Sequence, residues 1–453
     1  MTTSAPIRAS AADPYPNDPY FAEQWNLTRI GVQSAWATAR GQGVLVGVVD
    51  TGIDLNHQDL AGKVIASTNC IGANDDPNAC GGSAQDDQGH GTHVSGIIAA
   101  DTNNGIGVAG VAPDAHLLVV KALGDKGSGA LNDVNAGIKW VVNHGAKVVN
   151  LSVEADNASL TILPGQSLAE GVEYAYQHGA IAVVAAGNST PSLFGGGASY
   201  AKVDALVVGA TGPNDEVAFY SSPLGAAKWG VVAPGGDAKD PASGKPSCAG
   251  SLANGCIVST GWFAGKTNQY ADDEGTSMAA PHVAGVLALL MGQGSRLSRD
   301  VAIQTALSKS AKIPCGPGCQ GRIDAGAALP APAGAPPTST STTTTAPLSS
   351  PPTGAPPTTA ALVRPGVAGA RPASPIGPAT TVAEVTPTGG TPSRPVSSST
   401  VPPPRSPGLV AARASPRTKG GHVAADAAAG LLVVLVGTAV VRESRRLRAG
   451  AAP

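Results

Sequence analysis

The chain has 453 residues, more than one hydrophobic core usually holds, so one large domain with appendages is expected. It carries 29 Lys and Arg against 31 Asp and Glu, a formal net charge of −2, which gives no global electrostatic reason to expect nucleic acid as a partner. Charged residues are sparse at 13%, and 59 Gly and 38 Pro would be hard to pack if spread evenly, so the average hides a partition.

Residues 1–13 form an N-terminal extension without a hydrophobic run of signal-peptide length. Ala9-Ser10-Ala11 nevertheless has the small-x-small form of a cleavage site, so one reading is the remnant of a signal peptide. Residues 44–49, VLVGVV, are the first continuous apolar run, as expected of a strand buried on both faces. Similar runs recur at 117–121, 147–151, 181–185 and 205–209, separated by helix-compatible stretches at 93–100, 130–144 and 167–178. This alternation predicts an α/β fold with three layers, a mostly parallel sheet with helices on both faces. In such sheets the polar residues just past the strand carboxyl ends face the active crevice, which singles out Asp50, Asn150, Ser152, Gly187 and Asn188.

Three local patterns carry chemistry: Val48-Val49-Asp50-Thr51-Gly52-Ile53-Asp54, Gly89-His90-Gly91-Thr92-His93-Val94, and Gly275-Thr276-Ser277-Met278-Ala279-Ala280-Pro281-His282. Ser277 opens an apolar helix expected over 278–291, whose amino-terminal dipole favours a developing oxyanion at a serine nucleophile. His90, flanked by glycines, can approach that hydroxyl as general base, and Asp50 at a strand end can orient the imidazole. His90 and His93 at i and i+3 do not form the HExxH arrangement of a zinc site, so His93 and His282 are read as packed or hydrogen-bonded core histidines. Taken singly, Asp50 could be a strand-end cap and Gly275-Thr276-Ser277 a helix cap; together, in the order Asp, His, Ser, they resemble the subtilisin-like serine proteases. The resemblance covers roughly 14–328. Its N-terminal portion, NDPYFAEQW followed by Ala35-Trp36, is most similar to the thermitase-type branch.

That resemblance implies further residues. Asn188 matches the family's side-chain oxyanion donor, with the Ser277 backbone N–H as the second donor. Gly127, Ser128 and Gly129 match an edge strand that pairs with an extended peptide, and Ser152, Val153 and Glu154 match the opposite wall. Glu154 replaces a glycine of the family; its carboxylate could favour a basic substrate side chain, or it could simply point to solvent. Thr102-Asn103-Asn104-Gly105-Ile106-Gly107-Val108 matches a calcium loop, with an Asn104 side-chain oxygen, carbonyls of Thr102, Ile106 and Val108, and carboxylates from Asp59 and Asp18. Hard oxygen donors of this kind suit structural Ca2+ rather than zinc.

Six cysteines fall in three close pairs, Cys70/Cys80, Cys248/Cys256 and Cys315/Cys319. Local structural disulfides are the simplest closure and imply an oxidising compartment, although six cysteines permit 15 connectivities.

Beyond the peptidase domain, placed at 14–329, the composition breaks. The 330–421 segment holds 21 of the 38 prolines and one acidic residue, Glu384, and reads as a disordered Pro/Thr/Ser-rich linker. Before Pro330 there are 18 basic and 28 acidic residues, net −10; after it there are 11 and 3, net +8. The run AAAGLLVVLVGTAVV at 427–441 would span about 22 Å as a helix and is read as part of a transmembrane anchor over 422–442. The basic tail 443–453, with Arg445, Arg446 and Arg448, fits a cytoplasmic end and places the large domain outside the cell membrane. The layout is similar to that of membrane-anchored mycosin-type subtilases. The resulting expectation is a monomeric, membrane-tethered endopeptidase acting on polypeptides. The alternatives are a catalytically silent subtilase-like binding or scaffold domain, or another acyl-transfer enzyme such as an esterase or peptide ligase.

Overall fold

The computed structural model describes residues 16–153, 160–161, 167–188, 204–238, 248, 255–263, 265–292 and 297–330. The chain divides into two units, Met1–Ser349 and Ser350–Pro453, and every described residue belongs to the first.

Strand β1 (Leu45–Asp50) is followed by β2 (Val64–Asn69) and β3 (His116–Lys121). After the two-residue β4 (Gly129–Ala130) come β5 (Val148–Leu151), the two-residue β6 (Leu160–Thr161), β7 (Ile181–Ala185), β8 (Ala205–Thr211) and β9 (Trp229–Pro234). A hairpin of β10 (Ile257–Phe263) and β11 (Lys266–Asp273) precedes the last strand, β12 (Cys319–Arg322). Eight strands form one sheet in the order β12-β9-β8-β7-β5-β1-β3-β2, and every pairing in it is parallel.

The five apolar runs read from the sequence are β1, β3, β5, β7 and β8, buried on both sides because residues alternate between two cores, while β2, β9 and β12 of the same sheet lay outside those runs. Val46, Val48, Leu117 and Val119 face one, whereas Val49, Leu118 and Val120 face the other. The short helices α1 (Trp25–Arg29) and α2 (Val32–Trp36) join α3 (His90–Ala99) on the first face, while α4 (Leu131–Asn143) and α5 (Leu168–Gln177) cover the second. The first face also holds α6 (Thr276–Met291), followed in the chain by α7 (Arg299–Ser308) and α8 (Ala325–Ala328). All sixteen residues of α6 are buried, as a helix apolar on every side requires, and its Thr276, Ser277 and His282 are buried with hydrogen-bond partners.

Two helices start earlier than their apolar runs suggest. The helix expected from residue 93 begins at His90, and the one expected from 278 begins at Thr276, because polar first-turn residues belong to the helix without adding to its hydrophobic signal. The chain runs outward from β1 in both directions, with β3 on one side and β5 on the other. A crevice therefore opens beyond the carboxyl end of β1.

The three local cysteine pairs are disulfides in the structure: Cys70–Cys80, Cys248–Cys256 and Cys315–Cys319. Among the described residues no helix is long and apolar enough to cross a membrane. The expected extension 1–13, the linker after Pro330, the anchor 422–442 and the tail 443–453 lie outside those residues.

Candidate active site

Asp50 is the last residue of β1, fully buried at the crevice floor. Its Oδ1 accepts two 2.7 Å hydrogen bonds, one from the Thr51 N–H and one from His90 Nδ1. His90 opens α3, and Gly91 lets that helix lie against the end of β1: a Cβ at Gly91 would stand 2.1 Å from the Gly52 carbonyl oxygen. The Gln88 side chain accepts the His90 N–H at 2.7 Å. Burial works against an imidazolium here, but the charge and hydrogen bond of Asp50, aided by the charges of Asp273 and Asp86, raise His90 to about 9. With Nδ1 donating to Asp50, Nε2 is the nitrogen left to take a proton.

Ser277 is the second residue of α6 and lines the same cleft, of about 230 Å³, as His90, Thr51, Gln88, Gly127 and Ser152. Its local setting follows from Pro281. A proline four residues on removes the helix hydrogen bond to the Ser277 carbonyl, and the Ser152 hydroxyl supplies a replacement at 2.7 Å. The exchange is reciprocal, since the Ser277 hydroxyl donates to the Ser152 carbonyl at 3.0 Å. Asn150 in turn donates to the Ser152 hydroxyl at 2.9 Å, which orients it toward α6.

Asn188 lies just beyond β7. Its side-chain oxygen accepts from the Thr276 N–H (2.8 Å) and hydroxyl (3.0 Å), and the same hydroxyl accepts the Gly187 N–H at 3.1 Å. With the oxygen so held, the Asn188 NH2 has no hydrogen-bond partner among the described residues. Gly275 gives it room, as a Cβ there would press on Asn188 Nδ2 at 3.3 Å. Neither the Thr276 anchor nor the second role of Ser152 emerged from sequence. Thr276 stood inside the serine motif as a cap candidate, and Pro281 four residues after Ser277 was the signal of a carbonyl needing a new partner.

On the expected substrate side, Gly129 and Ala130 form β4, which pairs in parallel with β6, and the Ser128 carbonyl accepts the Gly124 N–H at 2.9 Å. One edge of β4 is thus occupied and the other is what a peptide would use. Ser152 and Val153 line the cleft, while Glu154 lies outside the described residues. Lys126 also lines the cleft and is exposed.

Away from the cleft, His93 is buried with Nε2 within hydrogen-bond reach of the Ile257 and Ala271 carbonyls. His282 has Nδ1 at 2.8 Å from the Met278 carbonyl and Nε2 at 2.7 Å from Asn26 Nδ2, and burial lowers it to about 4. The residues expected to hold calcium also gather. Both oxygens of the buried Asp18 accept the Asn103 N–H, while Asp59 accepts from Asn104 Nδ2 and the Val108 N–H, each at 2.8 Å. Burial raises Asp18, and it raises Asp59 to about 6 against the pull of these hydrogen bonds, with the Asp18 charge adding to the effect. Among the described residues no three His, Cys, Asp or Glu side chains cluster as a metal site.

A buried carboxylate bonded to a histidine, facing a helix-opening serine across a cleft, defines a serine hydrolase site. Residues 41–345 match the Subtilase family, and the chain belongs to it. It is 36% identical over 314 residues to thermitase of Thermoactinomyces vulgaris, covering 68% of this chain and 97% of that one. A thermophilic serine proteinase of Bacillus sp. strain AK1 is 38% identical, with 65% of this chain and 64% of that protein covered. Subtilisin BL of Lederbergia lenta is also 38% identical, covering 63% and 90%. A solved protease structure from Pseudoalteromonas arctica superimposes with a TM-score of 0.55 at 29% identity, covering 69% of this chain and 98% of that one. The chain is therefore a subtilisin-like serine endopeptidase.

Proposed function

We propose that this endopeptidase cleaves polypeptides through an acyl-enzyme on Ser277, with its peptidase domain held outside the cell membrane by the carboxy-terminal segment. The single observation that carries the catalytic reading is the 2.7 Å bond between Asp50 and His90 in the cleft that Ser277 lines. Nε2 of His90 takes the Ser277 hydroxyl proton as Oγ attacks the scissile carbonyl carbon. The carbonyl π electrons move onto oxygen, where the Asn188 NH2 and the Ser277 N–H donate to the oxyanion. The imidazolium, stabilised by Asp50, then protonates the leaving amine as the C–N bond breaks. Water repeats the sequence on the ester and restores Ser277. The hydroxyl's present bond to the Ser152 carbonyl must be exchanged for one to His90 as substrate enters.

Labelling with a fluorophosphonate and casein hydrolysis, both abolished in Ser277→Ala, test this reading. A labelled protein that cleaves esters but no peptide would support the esterase alternative instead. Unlabelled, well-folded protein would support a silent scaffold, for which no feature of the cleft speaks.

The tether rests on the apolar 427–441 run, the arginines after it and the Pro-rich 330–421 segment. Membrane fractionation of the full chain, with the peptidase domain digested by external protease in intact cells, tests it. Recovery of the domain in the soluble cytosol would reject it. Cleavage of peptides varied before the scissile bond tests the basic preference suggested by Glu154.

Structural calcium is part of the proposal. Asp18 and Asp59 are buried together, 4% and 0% exposed, and pair with no Lys or Arg among the described residues. The carbonyls of Thr102, Ile106 and Val108 accept no hydrogen bond from the described residues. Unneutralised carboxylates beside unused carbonyls suit a hard divalent cation. Asp18, Asp59, the Asn104 side-chain oxygen and those three carbonyls would hold it. Its contribution is structural, fastening the Asp18 segment and the segment around Asp59 to the 102–108 loop.

A further inference from the structure

A second carboxylate lies behind the Asp50–His90 pair, and no step of peptide hydrolysis uses it. Asp86 is 1% exposed and accepts five hydrogen bonds. Its Oδ1 takes the Thr51 hydroxyl at 2.9 Å, the Gln88 N–H at 3.0 Å and the Gly89 N–H at 2.9 Å. Its Oδ2 takes the Thr92 N–H at 3.0 Å and the Thr92 hydroxyl at 2.5 Å. The donors come from both halves of the site. Thr51 follows Asp50, while Gly89 and Thr92 bracket His90.

Two secondary bonds close the frame. The Thr51 hydroxyl, its proton given to Asp86, accepts the Gly91 N–H at 2.9 Å, and the Thr92 hydroxyl accepts the Asp54 N–H at 2.9 Å. Among the described residues, hydrogen bonds reach the Asp50 carboxylate only at Oδ1, from Thr51 N–H and His90 Nδ1. The tilt of that carboxylate therefore depends on where Thr51 is held.

We infer that Asp86 is a positioning residue for the triad, locking the Asp50–Thr51 strand end and the His90 helix start into one register through Thr51, Gly89 and Thr92. The inference rests on the endopeptidase reading above. An ionised carboxylate is required chemically, because backbone N–H groups point at both oxygens. An asparagine would set its own NH2 against Gln88 and Gly89 in one orientation, or against Thr92 in the other. Burial opposes the Asp86 charge, but the bonds from Thr92, Gly89 and Gln88 hold its pKa below the usual carboxylate value, so it is ionised wherever the enzyme works. The charges around His90 are Asp50 at the end of β1, Asp86 in the loop before α3 and Asp273 at the end of β11, with His93 one turn along α3. Removing the Asp86 charge therefore also lowers the pKa of His90.

The test uses the full chain with Asp86→Asn, Thr51→Val and Thr51→Ser, assayed on one peptide substrate across pH. Asp86→Asn and Thr51→Val are expected to lose about 10–10²-fold in kcat with KM changed less than about twofold, since a misplaced general base slows chemistry without weakening binding. Thr51→Ser keeps the hydroxyl and should retain activity within about threefold. In Asp86→Asn the acid limb of kcat/KM should also move to lower pH, which a purely structural role would not produce. If Asp86→Asn does not fold, the contrast between Thr51→Val and Thr51→Ser decides alone. Equal kcat in those two, or an Asp86→Asn enzyme that loses only melting temperature while kcat and its pH limb stay unchanged, overturns the inference. A wild-type chain that cleaves nothing and resists fluorophosphonate instead removes the endopeptidase reading on which the inference stands.

Discussion

Two buried carboxylates in this domain, Asp86 and Asp59, differ by one percentage point in exposure yet titrate in opposite directions. Asp86 receives five hydrogen bonds, from Thr51 after β1, from Gln88 and Gly89 in the loop before α3 and from Thr92 in α3, and sits below the ordinary carboxylate value. Asp59 receives bonds from Asn104 and Val108, shares its surroundings with the Asp18 charge, and rises to about 6. Burial is therefore not what distinguishes them; the supply of donors is. The Asp86 carboxylate is satisfied by donors of the chain itself, whereas the proposed calcium site around 102–108 would take its countercharge from a bound cation. Activity should accordingly respond to changes in the first region, and thermal stability to changes in the second.

The largest expected effect breaks the chemistry outright. Ser277→Ala should cost on the order of 10⁶ in kcat while melting at the wild-type temperature, with or without calcium. Asp50→Asn, measured in the same assay, should lose about 10⁴-fold. It should also shift the acid limb of kcat/KM, which the wild type carries up to about pH 9 because neutral His90 is the reactive form. An acid limb near 6 in the wild type would show that Asp50 does not govern His90 in the working enzyme. Asn188→Ala should lower kcat by about 10²–10³, a magnitude characteristic of this family's donor, with KM nearly unchanged.

Smaller effects probe stability. His282 is neutral in the fold because burial disfavours its charged form, outweighing the hydrogen bond to the Met278 carbonyl, which favours it. The unfolded chain protonates it below about 6.5 but the fold only below about 4, so its contribution is full above 6.5 and lost as pH falls through that window. The loss amounts to about 3 kcal/mol. Denaturant titrations at pH 7 and pH 4.5 should show this slope in the wild type and a flatter one in His282→Gln. Chelation with EGTA should remove about 2.7 kcal/mol for a site held at 100 times its Kd, read as a fall in Tm that Asp59→Asn no longer shows. In the chelated protein the two carboxylates should then diverge. The raised Asp59 favours the fold at low pH and loses that contribution as pH rises toward 6, whereas the depressed Asp86 contributes above its unfolded value and loses that contribution as the solution is acidified. An EGTA-insensitive Tm would place the two regions on the same footing and end the contrast.

Much of the site was legible residue by residue. The apolar run before Asp50, the paired glycines around His90 and the small residues around Ser277 announce a strand end, a close helix approach and a helix start, because each depends on local sterics. The elements around the β10–β11 hairpin were not legible. Their residues lack a clean period, and their placement depends on contacts such as Thr260 to the Thr92 carbonyl, 168 positions away. Asp86 was invisible for a related reason. Within Gln85-Asp86-Asp87-Gln88 nothing in the letters separates a buried frame-holder from its neighbour Asp87, which pairs with Lys121.

By itself the sequence determined five of the parallel strands, the three side chains proposed to react and the partition of charge between an acidic head and a basic tail. It did so because burial periodicity, glycine sterics and proline content act over a few residues. Only the tertiary structure decided that the Ser277 carbonyl, deprived of its helix partner by Pro281, is met by Ser152 across 125 positions, and that Asp86 joins the two halves of the triad. A hydrogen bond is specified by distance and direction in space, and those exist only once the chain has closed.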